Sequence, residues 1–205
     1  MDPLTAPAAD WGVASMARDG ESVSGDRFLV IENPEDLLIA LVDGAGHGPE
    51  AAKAADAAIR VLETKPSLPL AVLLDRCHHD LQGTRGAVLL LARFDVRHSR
   101  LDWVGIGPIV GAVTRVDPSR RPRIELLLTR KGVVGLASFS APTDSIAIDP
   151  GDLLVLASDG VHQDFVDRLR PSEVPERLAR NILEAHRKRD DDALVLVVRF
   201  RSPAP

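Results

Sequence analysis

The sequence has a single cysteine, Cys77, no tyrosine at all, and only 3% aromatic residues among its 205. One thiol excludes a disulfide framework and a cysteine-rich zinc site, and suits a reducing, cytoplasmic compartment. The charge balance leans acidic, 25 basic against 30 acidic side chains for a formal −5. With few rings to stack on bases, that balance argues against a nucleic-acid partner. Long hydrophobic runs are missing too. The stretches 87–92 and 193–198 fall far short of the ~20 residues that cross a bilayer as a helix. The Met1-Asp2-Pro3-Leu4 start has neither the basic nor the apolar region of a signal peptide. No membrane association is expected. What is present is an ordinary globular composition, 45% hydrophobic and 27% charged, on a chain of one-domain length.

The organisation expected is a flexible segment over 1–10, one domain over 11–200, and a short tail over 201–205. Segments 11–17, 27–32, 37–43, 86–95, 100–106, 109–116, 123–129, 144–148, 152–158 and 193–200 are short, rich in Val, Ile and Leu, and mostly bounded by Gly, Pro or Asp. They read as strands. Helical patterns cover 49–62, with Pro49 in its first turn, 68–81 with its stripe of Leu70, Leu73, Leu74, Cys77 and Leu81, and 172–186 with Ser172 as N-cap. Arg187, Lys188 and Arg189 suit the negative end of that last helix. Strand groups around a central helix pair, with one more helix before the final strand, fit layered sheets flanked by helices better than βαβ alternation.

The chemistry is carried by carboxylates at strand ends. The apolar run 37–42 leads straight into Asp43-Gly44, and the run 153–158 leads straight into Asp159-Gly160. Both strands are apolar enough to be buried on both faces. Asp26 stands in Ser24-Gly25-Asp26, and Asp190-Asp191-Asp192 precede the last strand. A single Asp-Gly after a strand is a common turn. Four acidic sites, all at strand termini, would instead repel one another unless a cation lay between them. Hard divalent ions with oxygen ligands, Mg²⁺ or Mn²⁺, supply that charge. Two such ions about 3.5–4 Å apart bridge a water, lower its pKa and aim it at phosphorus.

The ordered set Ser24-Gly25-Asp26, Val42-Asp43-Gly44-Ala45-Gly46-His47-Gly48, Ala157-Ser158-Asp159-Gly160 and Asp191-Asp192-Ala193 resembles the metal-dependent PPM (protein phosphatase 2C-like) phosphatases, and within them the SpoIIE-type branch. The length, Glu21 to Asp26, and Thr84-Arg85-Gly86-Ala87 resemble the stand-alone RsbX type. The resemblance implies an α+β fold, an αββα sandwich of two face-to-face, mainly antiparallel sheets flanked by helices, with two Mn²⁺ or Mg²⁺ ions at one end. It implies hydrolysis of phosphoserine or phosphothreonine on phosphorylated STAS-domain proteins of a stressosome scaffold, or on a free anti-anti-sigma factor. Carried over by motif, Asp43 bridges both ions, Gly44 lends its carbonyl, and Asp26, Asp159 and Asp191 complete the ligand set, with Asp43 and Asp159 central to catalysis. Asp190 and Asp192 are then outer or solvated. Two departures stand out: Ala45 replaces the His that directly follows Asp-Gly in the protein phosphatase 2C branch, with His47 two residues on, and Gly105-Ile106-Gly107-Pro108 holds no acidic residue for a third ion. The rival reading is a non-catalytic module of the same fold that binds a phosphorylated or STAS-like partner.

Several features are given plainer roles. Adjacent His78 and His79 point in different directions on a helix and do not chelate. Cys77 sits on the apolar stripe as a core residue. Lys131-Gly132-Val133-Val134-Gly135 lacks the order of a phosphate-binding loop.

Overall fold

The structure, a computed structural model, describes residues 7–136 and 140–201. Ten strands appear: β1 (Ala9–Met16), β2 (Asp26–Glu32), β3 (Asp36–Gly44), β4 (Ala87–Asp95), β5 (Arg100–Ile106), β6 (Val110–Thr114), β7 (Ile124–Leu127), β8 (Asp144–Ala147), β9 (Leu153–Ala157) and β10 (Ala193–Phe200). Each lies within two residues of its expected position. Helices α1 (Gly48–Thr64) and α2 (Leu70–Asp80) fall between β3 and β4, and α3 (Pro175–His186) precedes β10.

Three details correct the sequence reading. Ala9 and Asp10, expected ahead of the domain, open β1 and pair with Phe200 and Arg199. Arg201, expected in the tail, donates its N–H to the Ala8 carbonyl at 2.8 Å, while residues 1–6 and 202–205 lie outside the described residues. Ser172 does not cap α3, which starts at Pro175 behind an extended Val174 (φ −61°, ψ 130°). Proline disfavours helical geometry in the residue before it, so the helix cannot begin earlier. A 3-10 turn over Gln163–Arg168, unforeseen in the pattern, buries Phe165.

The strands form two five-stranded antiparallel sheets, ordered β1-β10-β9-β6-β7 and β2-β3-β4-β5-β8. Side chains alternate across a strand, and the alternation sorts three apolar layers. Leu37, Ile39 and Leu41 of β3 meet Leu154 and Leu156 of β9 and Leu194, Leu196 and Val198 of β10 between the sheets. Leu38, Ala40 and Val42 face the other way, onto Ala54, Ala58, Leu73, Leu74 and Cys77 of α1 and α2. Val155, Val195 and Val197 face Leu178, Ala179, Ile182 and Leu183 of α3. The result is the expected αββα sandwich, in which β9 and the 37–42 stretch of β3 are apolar because both of their faces are covered.

Leu196 is fully buried between the sheets. Leu196→Ala should therefore lower unfolding stability in urea by about 2–5 kcal/mol; a loss well under about 1 kcal/mol would mean that the inter-sheet layer is not the close-packed core described.

Candidate metal centre and active site

The same alternation aims the carboxylates. On β3 the odd-numbered residues face the opposite sheet, so Asp43 continues the row of Leu37, Ile39 and Leu41 at the strand's end. On β9 and β10 the even-numbered residues do so, which puts Ser158 and Asp192 on that face as well. Asp26 starts β2 directly opposite Asp43 in the antiparallel register. These groups therefore collect at one end of the sandwich, where the dry interface between the sheets opens.

Hydrogen bonds hold them there. The Ser158 hydroxyl donates to Asp26 Oδ2 at 2.7 Å and accepts from the Leu194 N–H at 2.9 Å. The Asp192 carboxylate accepts from the backbone N–H groups of Gly25 (2.7 Å) and Arg18 (2.8 Å). Arg27 donates to the carbonyls of Ser24 (2.7 Å) and Asp26 (2.8 Å) and pairs with Asp56. Close backbone packing shapes both Asp-Gly turns. A Cβ on Gly44 would lie 2.0 Å from the Ala51 carbonyl of α1, and one on Gly160 would lie 1.9 Å from the Asp192 carbonyl.

A cleft of about 340 Å³ opens over this end. Asp43, Asp159, Asp190 and Asp191 line it together with Arg18 and His47, between walls that include Val88 and Pro108. Asp26 lies beneath, 3% exposed. Of the five positions carried over by motif, the structure thus brings Asp43, Asp159 and Asp191 to the cleft, puts Asp26 under Asp43, and sets Gly44 at the end of β3. Asp192 is neither solvated nor in the cleft; it is a buried brace for the loop before β2. His47 stands at the start of α1 with Nδ1 3.0 Å from Glu21 Oε1. Pro108 is the cleft's contribution from the segment that lacks an acid. Away from the site, Cys77 is buried, its thiol pushed up to about 12 by desolvation, and His78 Nδ1 accepts from the Gly135 N–H at 3.0 Å.

Ser158 and Glu21 fall inside motifs quoted above without a role of their own, and Arg18 falls in none. The partners of Ser158, Arg18 and Asp192 lie 132 or more positions away along the chain, so their contacts leave no local signal.

The electrostatics are those of crowded, buried like charges. Burial, then Asp26, Asp159, Asp191 and Asp192, push Asp43 up to about 9. Burial pushes Asp26 to about 7, and neighbouring carboxylates add to this while the Ser158 hydroxyl opposes it. Asp159 is raised by burial and Asp191, with Lys188 opposing. Asp26 Oδ1 is buried without any hydrogen-bond partner. An unpartnered carboxylate oxygen among crowded like charges suits a cation as its partner. Among the described residues no group of three or more His, Cys, Asp or Glu side chains is drawn close enough together to hold an ion by itself. An open, all-oxygen donor set fits Mg²⁺-like ions, which keep several waters and take only one or two carboxylates each.

A family model described as Stage II sporulation protein E (SpoIIE) matches residues 33–201. The chain belongs to the SpoIIE family of PPM phosphatases. Among SpoIIE-family relatives, the phosphoserine phosphatase RsbX of Bacillus subtilis (strain 168) is 20% identical over 181 residues, covering 88% of this chain and 89% of that protein. A chain solved in work on the bacterial stressosome, described as a modular system adapted to control secondary messenger signalling, is 33% identical with a TM-score of 0.83, covering 93% of this chain and 99% of its own. The fold is shared as well with RsbX solved in complex with magnesium, at a TM-score of 0.83, 18% identity and 98% coverage of both chains.

Raised carboxylates make the metal-free protein sensitive to pH. Asp26 and Asp43 hold protons in the fold at pH values where an unfolded carboxylate, with its ordinary value of 3.8, has lost them. Their contribution to stability is fully present below about 3.8 and is lost as pH rises through about 7 for Asp26 and about 9 for Asp43. In chelator, the melting temperature should fall from about pH 5 to about pH 9, and Asp43→Asn should flatten the upper part of that fall. Equal slopes for the two proteins would contradict the placement of Asp43.

Proposed function

We propose that this PPM phosphatase removes phosphate from phosphoserine or phosphothreonine on a STAS-domain protein of a stressosome, in the cytoplasm, using two Mn²⁺ or Mg²⁺ ions held by Asp26, Asp43, Asp159, Asp191 and the Gly44 carbonyl. The observation that carries the reading is the convergence of these carboxylates at the end of the sandwich with one buried oxygen of Asp26 unpartnered. When bound, the ion pair supplies an activated water and offsets charge on the phosphoryl oxygens. The chain's own residues do the rest. Asp43, which lines the cleft and stands opposite Asp26 in the strand register, would be the carboxylate shared between the ions. Ser158 fixes the orientation of Asp26 by its hydrogen bond to Oδ2, leaving Oδ1 open. Arg18 brings a permanent cation to an otherwise acidic cleft, suited to the oxygens of a phosphoryl group. Val88 and Pro108 provide apolar wall. The STAS substrate follows the resemblance to the RsbX type and the likeness to a chain from a stressosome. A free anti-anti-sigma factor is the same chemistry on a different partner.

Phosphate release measured with Mn²⁺ tests this. Phosphorylated STAS-domain proteins should be hydrolysed and an unrelated phosphoserine protein should not. Chelator should abolish release, and either Asp43→Asn or Asp159→Asn should lower it by more than the 10–100-fold typical of an outer-shell change, with the far-UV spectrum unchanged. Release from both substrates would support the phosphatase and overturn the restriction to STAS proteins. No release by a folded protein that binds Mn²⁺ would overturn catalysis in favour of a binding module.

A further inference from the structure

Two of the cleft carboxylates sit on separate segments that must be kept together. Asp159 is in the turn after β9, and Asp191 is in the loop that joins α3 to β10. Both line the same cleft. Like charges brought to one cleft repel each other, so their segments need holding together.

Lys188 joins the segments twice over. Its Nζ donates to the Asp159 carbonyl at 2.5 Å, and its backbone N–H donates to the Gly160 carbonyl at 2.7 Å. The preceding residue, Arg187, pairs with Val161 in an isolated antiparallel bridge, and its guanidinium pairs with Asp19. On its other side the turn is pressed against the same loop, where Gly160 meets the Asp192 backbone too closely for any Cβ. The turn is thus clamped between the two ends of the loop that carries Asp191. The Lys188 ammonium does not serve the end of α3, where Arg187 N–H bonds the Leu183 carbonyl.

We infer that Lys188 is a positioning residue, which holds the loop carrying Asp191 against the turn carrying Asp159 so that the two carboxylates are presented to a cation as a pair. The inference rests on the metal-site reading above. It differs from a helix-end role, which would alter stability alone, and from a purely electrostatic one. Removing a cation beside a cation site strengthens metal binding if charge is all that matters; it weakens binding if geometry is what Lys188 provides.

Calorimetric titration of Mn²⁺ into chelator-stripped full-length protein separates these. Lys188→Met keeps the aliphatic stem and removes the ammonium. It should weaken Mn²⁺ binding by about tenfold or more, in the 10–100-fold range of outer-shell partners. Lys188→Arg, which retains a donor, should recover most of the loss. The metal-free melting temperatures of all three should stay close. Should Lys188→Met fail to fold, Lys188→Gln takes its place, with affinity expected below that of Lys188→Arg. Binding by Lys188→Met or Lys188→Gln as tight as wild type, or tighter, would overturn the inference. Asp43→Asn in the same titration tells the two readings apart. If it loses Mn²⁺ while Lys188→Met does not, only the role of Lys188 fails; if it binds like wild type, the metal site fails and takes that role with it.

Discussion

Mutual repulsion among carboxylates held at the end of a dry interface is the constraint around which this molecule is arranged. Asp26, Asp43 and Asp159 feel one another and Asp191, and desolvation makes the charges of these three harder to keep. A fold without a purpose for them would let them swing into solvent. Here the backbone is anchored against that tendency at each segment. Asp192 ties down Gly25 and Arg18, Ser158 ties Asp26 to the opposite sheet, Arg27 holds the carbonyls before β2, and Lys188 holds the turn after β9. These are hydrogen bonds to charged groups or from them, the stronger kind.

The arrangement explains why the site is at an end of the sandwich and not within it. Between the sheets the core is leucine, isoleucine and valine, close-packed and dry. A carboxylate there would have no water and no ion. One residue further along the same strands, the same inward-facing row reaches solvent, so that a divalent ion and its waters have access from one side while the sheets provide rigidity from the other. Helices α1 and α3 contribute by close approach, α1 against Gly44 and the loop after α3 against Gly160.

Much of this was legible in the amino-acid order. The ten strands follow from short apolar runs with turn residues between them, and the wholly apolar character of β9 and of the 37–42 stretch of β3 announced that both faces would be covered. The acidic positions at strand ends, in their particular order, pointed to the family before any contact was known. Misreadings occurred where local signals competed. A serine at 172 is a good N-cap in isolation, yet Pro175 sets where α3 begins. For Asp192 the sequence leaves an outer and a solvated position open, and parity decides between them: it turns the residue inward, where its carboxylate is buried on two backbone N–H groups.

What the sequence determined by itself was the list of elements and the identity of the acidic positions, because periodicity and turn chemistry act over a few residues. What tertiary structure decided was which side chains serve as braces. Ser158 meets Asp26 across 132 positions, Asp192 meets Gly25 across 167, and Lys188 meets Asp159 across 29. A hydrogen bond has a reach of about 3 Å and leaves no pattern in the chain between its partners, so these contacts exist only once two sheets have stacked and brought their ends together.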